Sequence, residues 1–446
     1  MSFKINYNII IYKLLISYIF SYVTFPLFND TGNITGNSPK EIIEKLLNSK
    51  LYIIVNIGSE KVDVKCQLLP NREEFMIAGE NIKNHKYNES NSKSYNCSNC
   101  AIKYFDGCIY SEGIISTEDL NIQSNNKDID ILHNINFILG TKSKDENPPK
   151  GFVGLLLSYY DTYRDYNLII NLRNLNITNS YFWHLNFDNE PKMVIGGFPH
   201  DLDNKKYNSE KFFNVYTIKT GYYIYYGLSF THIYYDNIIN TELSLDKNAV
   251  IRFDYGLVSA PNETGIILEK KFFEEFYTNN ICFKEILKSK EYFIYCRNTK
   301  EFDIKKFKSI YFKSFDLDII FELKNEDLFF YKGDYVYFLI VFKGNSWTFG
   351  ELFLKKYYLT FNQDQKTIGY YKSIEYEESY EDNEQKININ LIFIIIVLMI
   401  IILLLGIVLY NKSGKRKNRT NELDDSFEYK ESINNIEDEN DNKKIF

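Results

Sequence analysis

Short apolar runs, each bounded by Gly, Asn or Asp, recur along the middle of the chain. Leu51 to Ile57 closes on Gly58. Gly151 to Leu157, Lys192 to Gly197, Gly221 to Tyr226, Ala249 to Phe253, Tyr335 to Val341 and Tyr357 to Phe361 share its character. β-Branched and aromatic residues between turn formers predict strands. Helical spacing is rare: Leu268 to Tyr277 carries it, while residues 29–40 read as polar. No coiled-coil, collagen or solenoid period recurs. The body is therefore expected to be mainly β.

The two ends differ from this middle. Lys4, apolar residues from Ile9, Lys13 and the run Leu14 to Phe20 predict a secretory signal over residues 1–26, cleaved between Thr24 and Phe28. An uncleaved anchor is the alternative. Leu391 to Tyr410 carries no charge, and about 20 such residues cross a hydrocarbon core of about 30 Å. Lys412, Lys415, Arg416, Lys417 and Arg419 follow it without an acid, and Glu375, Glu377, Glu378, Glu381, Asp382 and Glu384 precede it. The positive-inside rule makes residues 411–446 a cytoplasmic tail, 375–390 an acidic stalk and the whole a type I membrane protein with a single span. Lys443 and Lys444, four and three places from the end, look like a dilysine retrieval signal, which implies an endoplasmic-reticulum protein with a lumenal body in the secretory pathway.

Composition changes this picture in three ways. Lys and Arg total 52 against 59 Asp and Glu, a net charge of −7, so there is no basic surplus for nucleic acid. An aromatic content of 17%, nearly all Tyr and Phe, favours sheet over disorder. Five His and six Cys exclude a large metal array, and no metal or cofactor is expected. Length alone suggests about three domains.

In a lumenal setting the cysteines are disulfide candidates. Cys97, Cys100 and Cys108 cluster, Cys66 lies upstream, and Cys282 and Cys296 stand together later. The spacing of Cys97 and Cys100 also fits zinc or redox chemistry, but no His stands at finger-like spacing. Connectivity among Cys66, Cys97, Cys100 and Cys108 stays open. Sequons fall at Asn29, Asn33, Asn88, Asn96, Asn176 and Asn262, some by chance in an Asn-rich chain.

Six places in order resemble the pepsin-like aspartic peptidases, over about residues 50 to 373. Ile57-Gly58 through Ile77 matches the opening strands without a gap. Tyr104-Phe-Asp-Gly107 followed by Gly113 to Asp119 looks like the flap hairpin, with Tyr104 as the flap tyrosine. Gly151-Phe-Val-Gly-Leu155 looks like the strand that follows. Ser180 to Leu185 with Met193 to Gly197 resembles the pair closing the first lobe. Ala249 through Pro261 matches the second catalytic strand and loop. Trp347 to Phe361, ending in Ile368-Gly369-Tyr370, looks like the closing signature. The resemblance implies a bilobal fold with a central cleft, an N-terminal lobe over 45–200 and a C-terminal lobe over 201–374. It also implies a small disulfide between Cys282 and Cys296.

Aspartic peptidase chemistry needs two facing carboxyl groups sharing a proton. The gapless register puts Leu69-Pro70-Asn71 and Arg252-Phe253-Asp254 where the two acid turns belong. Leu69 has no proton to exchange, and Arg252 stays charged and cannot act as a base. A shifted register would use Asp254, but near Leu69 only Asp63, Glu73 and Glu74 are at hand. The expected protein is a monomeric pseudopeptidase that binds a peptide or protein in its cleft by strand addition, with Tyr104, Asn71, Phe253 and Asp254 as binding residues. The alternatives are an active endopeptidase in another register and a structural or adhesion ectodomain.

Overall fold

The computed structural model describes residues 22–371, apart from 31–33, 84, 98–99, 106–108, 125–128, 159–164, 221–222, 237–241 and 315–319. The residues before 22, Cys108, the run 391–410 and Lys443 and Lys444 lie outside the described residues. No helix among the described residues is long and apolar enough to cross a membrane. Met1–Lys372 forms one compact unit, so the several domains suggested by length reduce to one body holding two lobes.

The framework in chain order is β1 (Val23–Asn29), α1 (Pro39–Leu47), β2 (Leu51–Ile57), β3 (Val62–Leu69), β4 (Phe75–Ala78), β5 (Ile102–Tyr104), β6 (Tyr110–Ser124), β7 (Ile129–Ser143), β8 (Gly151–Gly154), β9 (Phe182–Asn186), β10 (Lys192–Ile195), α2 (Pro199–Leu202), β11 (Phe212–Tyr216), β12 (Asn248–Ile251), β13 (Val258–Ala260), α3 (residues 262–278), β14 (Ile340–Phe342), β15 (Trp347–Phe349), α4 (Glu351–Lys356), β16 (Thr360–Asn362) and β17 (Thr367–Tyr371). Among the described residues the strands fall into sheets of 13, 3 and 11 strands. The mainly β expectation holds, and α3 contains the helical stretch expected from Leu268 to Tyr277.

β1 begins ahead of the expected boundaries at 26 and 45. It alternates, with Val23, Phe25 and Leu27 buried and Pro26 and Phe28 exposed. It pairs antiparallel with β10, Val23 opposite Ile195, and with β2, Leu27 opposite Ile53. A cut between Thr24 and Phe28 would sever this strand. The alternation was hidden because it continues the apolar run of residues 14–20.

α1 was also missed, inside and just after a stretch that reads as polar. Ser38 accepts the Glu41 amide at 3.3 Å and Pro39 opens the first turn, which is a regular helix start. Ile42, Ile43 and Leu47 then bury against Leu257, Leu287, Phe293 and Val341 of the second lobe. An N-terminal helix thus packs on the far lobe before the chain returns to the first.

The lobes share a sheet. Val23, Ile195, Trp183, Phe361, Ile368 and Val215 form one row across β1, β10, β9, β16, β17 and β11. Successive residues face opposite sides, so His184 points away from Trp183. His184 is 1% exposed and its Nδ1 donates to the Gly197 carbonyl at 3.1 Å. Burial lowers its pKa to about 3. The folded state therefore holds it neutral, and the unfolded chain binds the extra proton as pH falls below about 6.5. Its stabilisation is complete above about 6.5 and is lost toward pH 3, at about 1.4 kcal/mol per unit. Urea midpoints of His184→Asn, which keeps a donor, are expected to depend less on pH over this window than those of the parent chain. Parallel curves would refute this assignment.

Candidate functional site

The turns leaving β3 and β12 are the places where the resemblance puts its paired acids. β3 runs parallel to β8 with Leu69 opposite Gly154, and β12 runs parallel to β15 with Ile251 opposite Phe349. The Gly154 amide donates to the Glu74 carbonyl at 2.8 Å, and the Gly350 amide to the Leu257 carbonyl at 3.0 Å. Each turn passes directly over its glycine: a Cβ at Gly154 would lie 2.5 Å from the Arg72 carbonyl carbon, and one at Gly350 would lie 2.2 Å from the Tyr255 oxygen. β4 and β13 follow at the same distance from these glycine contacts. By this correspondence Leu69 and Arg252 occupy the same place in two like turns.

The side chains there are not two carboxyls. Leu69 is 5% exposed and lies in an apolar cluster with Met76, Tyr110 and Phe152. Arg252 Nε donates to Asp254 Oδ1 at 2.6 Å and Nη2 to Oδ2 at 2.7 Å. This bidentate, charge-assisted pair engages both oxygens of Asp254 and raises the Arg252 pKa. Asp254 is a structural partner of the guanidinium, so the shifted register gains no free base. On the first turn's approach, Asp63 accepts from Asn56 Nδ2 at 2.9 Å, while Glu74 is 4% exposed. With the Arg252 side chain 42% exposed, solvent screens the pair. Asp254→Asn is expected to cost only about 1 kcal/mol in thermal or urea unfolding.

Phe253 needs correction as a binding residue. Strand alternation sends it inward from Arg252: it is 0% exposed and packs on Trp183 at 5.2 Å and Phe361 at 5.3 Å. Asn71 is exposed on the first turn. Tyr104 is 79% exposed on β5, which pairs with β6 through Tyr104 opposite Glu112 and ends its sheet as an edge strand.

Disulfides join Cys97 to Cys100 and Cys282 to Cys296. Cys66 is corrected: it is a free, fully buried thiol whose pKa burial raises, with its sulfur facing Gly151. No group of three metal-ligating side chains occurs among the described residues.

The support of the second turn was not anticipated. The Gly256 amide donates to the Leu47 carbonyl at 3.1 Å and the Leu51 amide to the Phe253 carbonyl at 3.2 Å. Glu351, 4% exposed, accepts from Asn29 Nδ2 at 2.7 Å, Ser49 Oγ at 2.8 Å and Lys355 Nζ at 2.6 Å. Its amide donates to the Tyr255 carbonyl at 2.8 Å. The segment around α1 therefore clasps the Arg252 turn from below. The signal in the sequence was Ser38-Pro39-Lys40-Glu41 ahead of Ile42, Ile43, Leu46 and Leu47.

No known family model and no curated protein matches this sequence. Among solved structures it is similar to the crystal structure of basic 7S globulin from soybean, at 12% identity and a TM-score of 0.56, over 79% of this chain and 97% of that one. Identity this low shows the fold alone, and that fold is pepsin-like.

Proposed function

We propose that this chain is a type I membrane protein of the secretory pathway whose pepsin-like body binds an extended peptide or protein segment in its cleft without cleaving it. The observation that carries the reading is the Arg252–Asp254 pair opposite, in the fold's internal symmetry, a buried Leu69. A water molecule between such groups meets no carboxylate that is free to take its proton. Peptide binding has a surface in β5, an exposed edge strand bearing Ile102 and Tyr104 and able to add one more strand. The ion pair neutralises itself, so the site favours ligands held by backbone bonds over strongly acidic ones. Binding of a random peptide pool to the full chain, with every bound peptide recovered intact, tests this. Recovery of cut peptides overturns it.

The membrane part of the proposal rests on the uncharged run Leu391 to Tyr410 and the basic residues after it. A lumenal body retrieved through Lys443 and Lys444 would meet the glycosylation machinery. Asn96, Asn176 and Asn262 are exposed, whereas the Asn29 amide is held by buried Glu351. Peptide mapping after glycosidase treatment is expected to find glycans among the first three and none at Asn29. A fully unglycosylated chain from a secretory host would contradict the lumenal assignment.

A further inference from the structure

The edge strand β5 is tied at its upstream end by a small covalent ring. β5 pairs with β6 through Ile102 opposite Ile114 and Tyr104 opposite Glu112. Upstream, Asn96 stands opposite Thr117. The Asn96 amide donates to the Thr117 carbonyl at 3.0 Å, and the Thr117 amide to the Asn96 carbonyl at 2.8 Å. Between these two anchor points residues 97–101 face only residues 115–116 of β6. The Cys97–Cys100 disulfide closes that excess of chain into a ring. Downstream, Phe105 is 4% exposed and its amide donates to the Ser111 carbonyl at 3.0 Å. β5 ends its sheet beside β6, so its register depends on these ties.

This ring is open to solvent where the Cys282–Cys296 disulfide is not. Cys100 is exposed and Cys97 half-buried, whereas Cys282 and Cys296 are 3% and 1% exposed. An attacking thiolate must reach a sulfur to exchange with it, so exposure selects the first bond. Cys100 also has a φ of +37°, a left-handed backbone that disfavours any residue with a Cβ. Opening the ring lets that backbone relax. The first bond joins residues 3 apart and the second residues 14 apart, and the shorter ring constrains the unfolded chain less. Its opening therefore loosens β5 and leaves the fold standing.

We propose that the Cys97–Cys100 disulfide is a redox gate on β5. Oxidised, it holds the edge strand in register and ready to pair with a peptide. Reduced by a protein dithiol, it lets β5 fray from β6 and lowers the affinity for peptide. This rests on the peptide-binding reading given above. In the exchange a thiolate of the dithiol attacks Cys100 Sγ, the Sγ–Sγ bond breaks, and Cys97 leaves as a thiolate that takes up a proton. The dithiol's second thiolate then attacks its own partner sulfur in the mixed disulfide and frees Cys100, which takes up the other proton. Two electrons and two protons pass to the chain, and the dithiol becomes a disulfide.

The test uses the full chain, its free thiols blocked with N-ethylmaleimide, in graded mixtures of reduced and oxidised dithiothreitol. A second alkylation reads each disulfide by mass spectrometry, hydrogen exchange reads residues 102–104, and retention of a random peptide pool reads binding. Cys97 and Cys100 are expected to take the second label at dithiol levels about tenfold or more below those that label Cys282 and Cys296. In that window exchange at 102–104 rises and peptide retention falls about threefold or more. The double variant Cys97→Ser, Cys100→Ser is expected to match the reduced parent and to ignore dithiol. Simultaneous labelling of both disulfides overturns the proposal, as does equal peptide retention by the oxidised and reduced parent chain. A double variant that binds like the oxidised parent overturns it too. Peptide retained by neither form fails the peptide-binding reading itself, and the gate with it.

Discussion

Gly256→Ala is expected to cost roughly 3 kcal/mol or more. The new Cβ would lie 1.9 Å from the Leu46 carbonyl oxygen and 2.7 Å from Ser49 Cβ. The first of these is a backbone atom, so no rotamer change relieves the clash. Moving it means lifting the last turn of α1 from the second lobe, where Ile43 and Leu47 are 0% and 5% exposed. Moving Gly256 instead breaks its bond to Leu47 and strains the Glu351 contacts beside it. Urea unfolding of the purified variant checks this, and a midpoint within error of the parent chain would refute the clasp. The expected loss falls on the turn carrying Arg252 and Asp254, so local protection of that turn from hydrogen exchange should fall first.

Trp183→Ala comes next, at about 3–5 kcal/mol. Trp183 is fully buried in β9 and stacks on Phe361 of β16 at 4.4 Å. Phe253 and Tyr226 close around it at 5.2 and 5.7 Å. These rings join the lobes and carry the floor of the Arg252 turn. Trp183→Phe keeps most of this contact and is expected to lose about half as much. Equal losses for both variants, measured by thermal or urea unfolding, would show that the ring cluster is not what holds the lobes together.

Much of this architecture was legible because its signals are local. Runs such as Leu51 to Ile57 and Lys192 to Gly197 combine β-branched residues with turn formers at their ends, and each contains a strand. The likeness of the two turns was legible because both keep their length, so Leu69 and Arg252 could be counted from the strands around them. Other features depend on partners distant in sequence. Tyr335 to Val341 reads as one strand but divides into Tyr335–Phe338 and β14, because the Leu339 amide turns aside to the Leu328 carbonyl at 2.8 Å. Phe253 looked like a cleft residue until Trp183 and Phe361 were brought beneath it. Cys66 looked like a disulfide partner, but β3 carries it into the core opposite Gly151. The Glu351 hub draws on β1, the α1–β2 connection and the Arg252 turn at once, and no spacing within any one of them announces it.

A pepsin-like body with Leu69 and a self-paired Arg252 at its two like turns should cut no peptide. The most direct measurement incubates the purified full chain with a diverse peptide pool from pH 3 to pH 7 and reads new termini by mass spectrometry, with and without a pepstatin-like inhibitor. No new termini are expected at any pH, and no difference made by the inhibitor. Cleavage at acidic pH that the inhibitor abolishes would mean that two carboxyls do meet in this cleft, and that the body is an active peptidase.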